Sequence, residues 1–219
     1  MAQCRYCGRS GWLLSVNADG LCRTCNPIVI RDIVQRKREI ARLARTINVS
    51  GNFVSKVQRC DTVIRHLISL EDYERRGIPI RDLSPSVLLA EYRQGRERIL
   101  STGLEKLVSE ALTKAEVTIS VNGKIREASK GLLKLQEFTG VVNSPGILEA
   151  LTAKIKTFIQ TTQLNGYLEA AKKAEFKARY KRALDQYREA LYFLNHVEID
   201  DRLKTRNIPE IERKISELE

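Results

Sequence analysis

A mainly α fold with a small metal-binding module at the N-terminus is what this sequence predicts, and three observations predict it. Two Cys-x-x-Cys pairs stand near the start of the chain. From residue 27 onward, apolar residues recur at threes and fours over most of the length. Thirty per cent of the residues are charged and only 6% aromatic, which suits helices with wet outer faces. At 219 residues the chain can bury a core, as one elongated domain or as two to three small ones.

The metal module comes first. Cys4-Arg5-Tyr6-Cys7-Gly8 and Cys22-Arg23-Thr24-Cys25 are two knuckles, each able to present both sulfurs to one ion from a single backbone turn. Together they complete a tetrahedral four-thiolate shell, which suits one structural Zn(II) better than a hard cation. Between them Trp12-Leu13-Leu14-Ser15-Val16 is strand-like, Asn17-Ala18-Asp19-Gly20 has turn chemistry and Leu21 re-enters, so a β-hairpin is expected. A closed four-ligand shell leaves no open position for chemistry, so the expected role is a staple for the fold. Two tight pairs on a chain without a secretory leader fit a metal better than a disulfide framework.

Knuckle, hairpin, knuckle, helix is the order of a treble-clef zinc finger. The run Cys4-x-x-Cys7-Gly8, Trp12-Leu13 and Asp19-Gly20-Leu21-Cys22-x-x-Cys25 resembles the treble-clef fingers of the GATA and LIM type. The resemblance implies a zinc-binding module over residues 1–30. Fingers of the GATA type carry basic hairpin residues for DNA contact. Here Leu13, Leu14, Ser15 and Val16 occupy those positions, which points away from sequence-specific DNA reading.

Charge is uneven along the chain. The net charge is +11, and residues 1–50 hold nine Lys and Arg against three Asp and Glu, more than half of the surplus. Residues 151–219 are charge-mixed, with fourteen against eleven. Met1-Ala2-Gln3 runs straight into the first knuckle without a charged-then-apolar leader, and no apolar run approaches the length of a membrane span. The expectation is a soluble protein of a reducing, cytoplasmic compartment with no membrane partner.

A basic helix and a second helix, expected over 27–76, pack as an αα unit. Pro27 reads as the first helical residue with Asn26 as N-cap. Ile33, Ile40, Leu43, Ala44 and Ile47 share one face. Arg31, Arg38, Arg42 and Arg45 fall within about 60° of one another on the opposite face, an arginine ridge suited to a nucleic-acid backbone or an acidic protein. Ser50 and Gly51 mark the helix end. The second helix sets Phe53, Val57, Cys60, Ile64 and Leu67 in a stripe, with the lone Cys60 as a core residue and His66 off the stripe. Residues 71–83, broken by Gly77 and Pro79, read as a linker.

The body beyond reads as helices throughout. Residues 84–140 form a long helical region opened by Ser84-Pro85, unbroken or split near Gly95 or Gly103, with coiled-coil pairing open to it. At Val117–Ile125 a helix break at Asn122-Gly123 is favoured over a hairpin. Residues 140–145 form a turn, and a helix follows over 146–164. Residues 146–219 as a whole are expected to be a helical hairpin with a capping helix begun by Pro209. Leu168, Ala171, Ala174 and Ala178 line one helix of the hairpin; Tyr180, Ala183, Leu184, Tyr187, Ala190 and Leu191 line the next. Tyr180-x-x-Ala183 with Tyr187-x-x-Ala190-Leu191 resembles the second helix of a tetratricopeptide repeat, and equally a microtubule-interacting-and-trafficking hairpin. The resemblance implies a docking hairpin with Tyr180, Tyr187 and Ala190 as its markers.

The functional expectation is a zinc-containing helical adaptor that docks a protein partner and contacts nucleic-acid backbone through Arg31, Arg38, Arg42 and Arg45. Two alternatives stand beside it: a sequence-nonspecific DNA- or RNA-binding protein, and a scaffold subunit oligomerising through the central helices. No phosphate-cradling glycine loop, Gly-x-Ser-x-Gly or His-Glu-x-x-His occurs, and with only two histidines an acid–base dyad is not evident, so an enzyme is not expected.

Overall fold

Among the described residues two short strands, β1 (Ala2–Gln3) and β2 (Ser10–Gly11), precede seven helices: α1 (Cys25–Ile47), α2 (Phe53–Arg75), α3 (Pro85–Glu116), α4 (Val121–Gln136), α5 (Pro145–Phe176), α6 (Tyr180–His196) and α7 (Asp201–Leu218). The structure is a computed structural model, described for residues 2–49, 51–142, 145–199 and 201–219. Ser50, Asn143 and Ser144, in two expected turns, and Asp200 lie outside the described residues. The chain divides into two units, Met1–Gly103 and Leu104–Glu219, with the division inside α3.

The β-pairing of the first unit differs from the expected hairpin. β1 pairs antiparallel with β2, Ala2 opposite Gly11 and Gln3 opposite Ser10, so the strands bracket the first knuckle. Between residues 12 and 22 only a single bridge, Val16 to Cys22, remains. The Leu14 N–H bonds back to the Gly11 carbonyl at 3.3 Å, which bends Trp12 and Leu13 into an exposed turn. The Asn17–Gly20 turn forms as expected. Asn17 Oδ1 accepts from the Leu21 N–H at 2.9 Å, and Gly20 takes φ +76° where a Cβ would collide with the Arg5 side chain.

Helix α1 starts at Cys25, two residues earlier than Pro27 suggested. The Asn26 N–H bonds to the Cys22 carbonyl at 2.9 Å, so the second knuckle already winds into the helix. Thr24 is the N-cap, and the Asn26 side chain accepts from Asn17 Nδ2 at 2.8 Å instead. Pro27 sits in the first turn, where a missing N–H costs nothing. Ile33, Ile40, Leu43 and Ile47 are buried as expected; Ala44 is half-buried. They meet Cys60, Val63, Leu67 and Leu70 of α2 in one core, with Ile64 at its margin. Asn52 caps α2 by accepting from the Val54 N–H at 2.9 Å. Arg96 of α3, nearly buried, is neutralised by Asp61 at 2.5 Å and Glu97 at 2.7 Å.

Residues 76–83, expected as linker, are a strap. Helix α2 ends in a turn at Gly77, and the Ile78 N–H returns to the Tyr73 carbonyl at 2.9 Å. This drives Ile78 to 1% exposure in the core, with Ile80 and Leu83 packed against it. The strap is hydrogen-bonded to the cysteine module. Arg5 Nη1 donates to the Gly77 carbonyl, Arg76 Nη1 to the Tyr6 carbonyl at 3.3 Å, and Arg81 pairs with Asp19 at 3.5 Å.

α3 runs unbroken through Gly95 and Gly103. The break that follows spans Val117–Ser120, so the helical reading holds but its position shifts. Asn122 and Gly123 lie inside the first turn of α4, where Ser120 Oγ caps by accepting from the Gly123 N–H at 3.1 Å. Ile119 is fully exposed in the break and lines no helical face. Gly131 is where α4 is closely approached: a Cβ there would stand 2.9 Å from Ala111 Cβ and 3.2 Å from Ile155 Cδ1. In sequence order α4 packs on α5, α5 on α6, and α6 on α7.

α5 is one helix of 32 residues, where the sequence suggested a stop at Leu164. A lone Gly166 costs about 1 kcal/mol of helix propensity, which packing on two neighbouring helices outweighs. Ala178 is not on that helix. It sits in the α5–α6 turn at φ +54°, the Ala178 N–H bonding the Glu175 carbonyl at 2.8 Å and the Arg179 N–H the Ala174 carbonyl at 2.9 Å. That bond pair is a Schellman turn with alanine in the place glycine prefers. Ala171 and Ala174 of α5 and Ala183, Tyr187 and Ala190 of α6 are buried. Helix α7 starts at Asp201 and continues through Pro209 rather than beginning there, since proline's φ is helical and only one backbone bond is lost. Ile211 is buried, with Ile215 and Leu218 half-buried beside it.

The strained alanine makes a prediction. Ala178→Gly relieves a left-handed L-residue and should raise the unfolding free energy by about 1 kcal/mol in a urea titration. A loss of stability would contradict the turn geometry.

Candidate functional site

Cys4, Cys7, Cys22 and Cys25 come together with all four sulfurs within 4.8 Å of one another, three of the residues buried and Cys7 exposed. Among the described residues no other group of His, Cys, Asp or Glu is placed to hold a metal. A tetrahedral ion with metal–sulfur bonds of about 2.3 Å sets its sulfurs about 3.8 Å apart, so the cluster needs at most a small contraction to close on a metal.

Electrostatics make the same demand. Burial pushes the Cys4 thiol up, but N–H groups of Cys7, Cys22 and Tyr6 outweigh it and hold Cys4 down at about 6. Cys22 is also held below the ordinary thiol value, chiefly by the Cys25 N–H. Cys25 is pushed up to about 12 by burial and by the three neighbouring sulfurs. Backbone amides thus favour thiolates, while crowding forbids all four from ionising unless a cation joins them. Cys60 is buried away from the cluster, and burial raises its thiol, as befits a core residue.

All four arginines of the ridge, Arg31, Arg38, Arg42 and Arg45, are exposed on α1. One acid intrudes: Glu39 pairs with Arg42 at 2.9 Å, so the ridge is not free of neutralising carboxylates. The sequence pattern missed the apolar part of this surface. Ile30 and Val34 are 39% and 40% exposed, and with Pro27, Arg31 and Arg38 they line an open groove of about 620 Å³. The signal was available, since Ile30 and Val34 are apolar residues one turn apart that the Ile33–Ile40–Leu43 core face does not use.

The hairpin markers separate. Tyr187 and Ala190 are buried between helices, with the Tyr187 hydroxyl donating to Glu175 at 3.1 Å, and so face no partner. Tyr180 is exposed.

Beside the metal module, Asp32 of α1 ties the helices together. It accepts from Arg36 Nε at 2.6 Å and from the Tyr73 hydroxyl at 2.9 Å. Burial pushes its carboxyl up, but the Arg36 and Tyr73 hydrogen bonds prevail and hold it below the ordinary carboxylate value. The Tyr73 hydroxyl is pushed up to about 12 by burial and by Asp32. Arg36 Nη1 also approaches His66 Nδ1 at 3.4 Å, and burial followed by that guanidinium lowers the imidazole. A depressed carboxylate stabilises above its unfolded pKa and loses that contribution as pH falls through its folded one. Asp32→Asn should therefore cost on the order of 1 kcal/mol at pH 7, discounted for partial exposure. The gap to wild type should narrow as the unfolding titrations move to acid pH; a gap independent of pH would contradict this role.

No protein-family model, curated protein or solved structure matches the chain, so the geometry of these residues carries the functional reading.

Proposed function

We propose that this protein is a zinc-stapled helical docking protein whose α1 groove receives an acidic segment of a protein partner. The observation that carries the reading is the groove itself: Ile30 and Val34, partly exposed, beside Arg31 and Arg38, with the one carboxylate of its lining, Glu39, paired to Arg42. Half-exposed branched aliphatics gain nothing from phosphate but bury well under an amphipathic helix, while guanidinium groups beside them select acidic residues. Four exposed arginines spaced over about 20 Å of helix support a second reading, contact with a nucleic-acid backbone. The Glu39–Arg42 pair weakens that reading, since one of the four charges is already matched.

Zinc is the metal this donor set fits best: four sulfurs, closed coordination and backbone N–H groups that favour thiolate. Two knuckles leading directly into α1 support the treble-clef reading. The alanine-lined α5–α6 hairpin supports a repeat-like fold for the C-terminal helices.

Protein prepared without added metal should carry about one zinc per chain by elemental analysis. Cys22→Ser should abolish it and disorder residues 1–30 in NMR spectra while α5, α6 and α7 persist. A disulfide among the four cysteines in place of the metal would overturn the zinc assignment. For the groove, a photo-crosslinker at Val34 should capture, in cells, a protein segment with acidic residues beside helically spaced apolar ones. Arg31→Glu with Arg38→Glu should weaken that captured complex at least tenfold, about 1.4 kcal/mol. Crosslinks to nucleic acid alone would hand the surface to the second reading.

A further inference from the structure

The turn between α5 and α6 holds a second basic cluster, distinct from the α1 face. Within residues 172–182 stand Lys172, Lys173, Lys177, Arg179, Lys181 and Arg182, against the single carboxylate Glu175. That carboxylate is engaged elsewhere, accepting from the Tyr187 hydroxyl at 3.1 Å and from Lys214 Nζ at 3.4 Å. Lys173, Lys177, Arg179 and Arg182 line a cavity of about 280 Å³ whose remaining walls are Ala170 and Ala174. None of the four is in an ion pair among the described residues, and no acid lines the cavity.

The turn geometry makes the cations converge. Ala178 in the left-handed region and the Arg179 N–H on the Ala174 carbonyl fold the start of α6 back over the end of α5. Lys173 of α5, Lys177 and Arg179 of the turn and Arg182 of α6 thus share one small space. Like charges gathered without a counter-ion are unfavourable until an anion completes them. The volume leaves room for a phosphodiester group among the four cations.

Two aromatic rings flank the same turn. Phe176, the last residue of α5, is 91% exposed, and Tyr180, the first of α6, is 56% exposed. Neither is in a ring contact among the described residues. A cationic seat for phosphate beside bare rings is how single-stranded nucleic acid is held, because unpaired bases stack on aromatic faces while the backbone follows the charge. A duplex keeps its bases paired and offers those rings nothing. We infer that the α5–α6 turn binds single-stranded nucleic acid, with phosphate among Lys173, Lys177, Arg179 and Arg182 and bases on Phe176 and Tyr180.

The test uses the full chain with its metal in place and fluorescence anisotropy with labelled twelve-residue oligo(dT), oligo(U) and the dT·dA duplex. Single strands should bind more tightly than the duplex. Lys177→Glu with Arg179→Glu should weaken single-strand affinity at least tenfold, and Lys177→Gln with Arg179→Gln should lower the salt slope by about 1.4, two neutralised phosphates. Phe176→Ala with Tyr180→Ala should lose about tenfold with an unchanged salt slope. Circular dichroism of every variant should match wild type, as these side chains are on the surface. Arg31→Glu with Arg38→Glu should leave this affinity unaltered, which separates the turn from the α1 groove and lets either reading fail alone. The inference is overturned if oligonucleotides do not bind at low salt, if the turn variants bind as wild type does, or if duplex binds as tightly as single strand. Binding of a phosphoserine peptide without oligonucleotide binding overturns it as well.

Discussion

Four sulfurs held within 4.8 Å of one another cannot all ionise unless a cation sits among them, and the N-terminal unit is arranged around that constraint. Regular secondary structure is sparse in the module, two strands of two residues each, one isolated bridge and a turn built on Asn17, with Leu21 buried in the core shared with α1 and α2. Yet its second knuckle is the start of α1, so whatever fixes Cys22 and Cys25 also fixes the direction in which a 23-residue helix leaves. The strap at 76–83 works from the opposite end. Ile78 buries itself in the helical core while Arg5, Arg76 and Arg81 bind the strap to the knuckle loops. The cysteine cluster and the strap thus bear on α1 from two sides, one at its first residue and the other through the core.

How much of this was legible in the sequence depended on the range of the interaction responsible. The Cys-x-x-Cys pairs, the Asn17–Gly20 turn and the core face of α1 are set by residues close in sequence, and they form as their patterns imply. Start points were less secure. Pro27 and Pro209 each looked like a first helical residue, yet each lies within its helix: Pro27 in the first turn, where its missing N–H costs nothing, and Pro209 in the interior of α7, where one backbone hydrogen bond is given up. Asn122-Gly123 looked like a break, but the Ser120 cap three residues earlier decides where α4 begins. The strap was illegible for a different reason. Its anchor is one buried isoleucine between the breakers Gly77 and Pro79, and its hydrogen-bond partners stand some seventy positions away, at separations of 70 and 72.

The candidate surfaces show the same division. The arginine ridge was visible because helical periodicity places its members, while the exposure of Ile30 and Val34 depends on what the rest of the unit leaves uncovered. The basic turn at 172–182 was hidden by averaging: across 151–219 the cations nearly balance the acids, although six cations and one acid fall within eleven residues. A shorter window would have revealed it. Tyr187 and Ala190 illustrate the converse, since a pattern of small and aromatic residues at helical spacing identified packing rather than a docking surface.

One device recurs in both units and bears on where the positive charge ends up. Asp32 accepts from Tyr73 and Arg36, and Glu175 accepts from Tyr187 and Lys214. In each case a part-buried carboxylate satisfies a tyrosine hydroxyl from another helix, and burial first, then that carboxylate, raises the phenol to about 12. A buried tyrosine hydroxyl without an acceptor would be costly, so these acids are committed to holding helices together. Asp61 is spent similarly on Arg96. Carboxylates drawn into such roles no longer shield the cations that stay outside. Formal charge, already +11, therefore understates how basic the α1 face and the α5–α6 turn are toward an approaching partner. The anionic character proposed for both ligands follows from how the helices are held together as much as from the number of lysines and arginines.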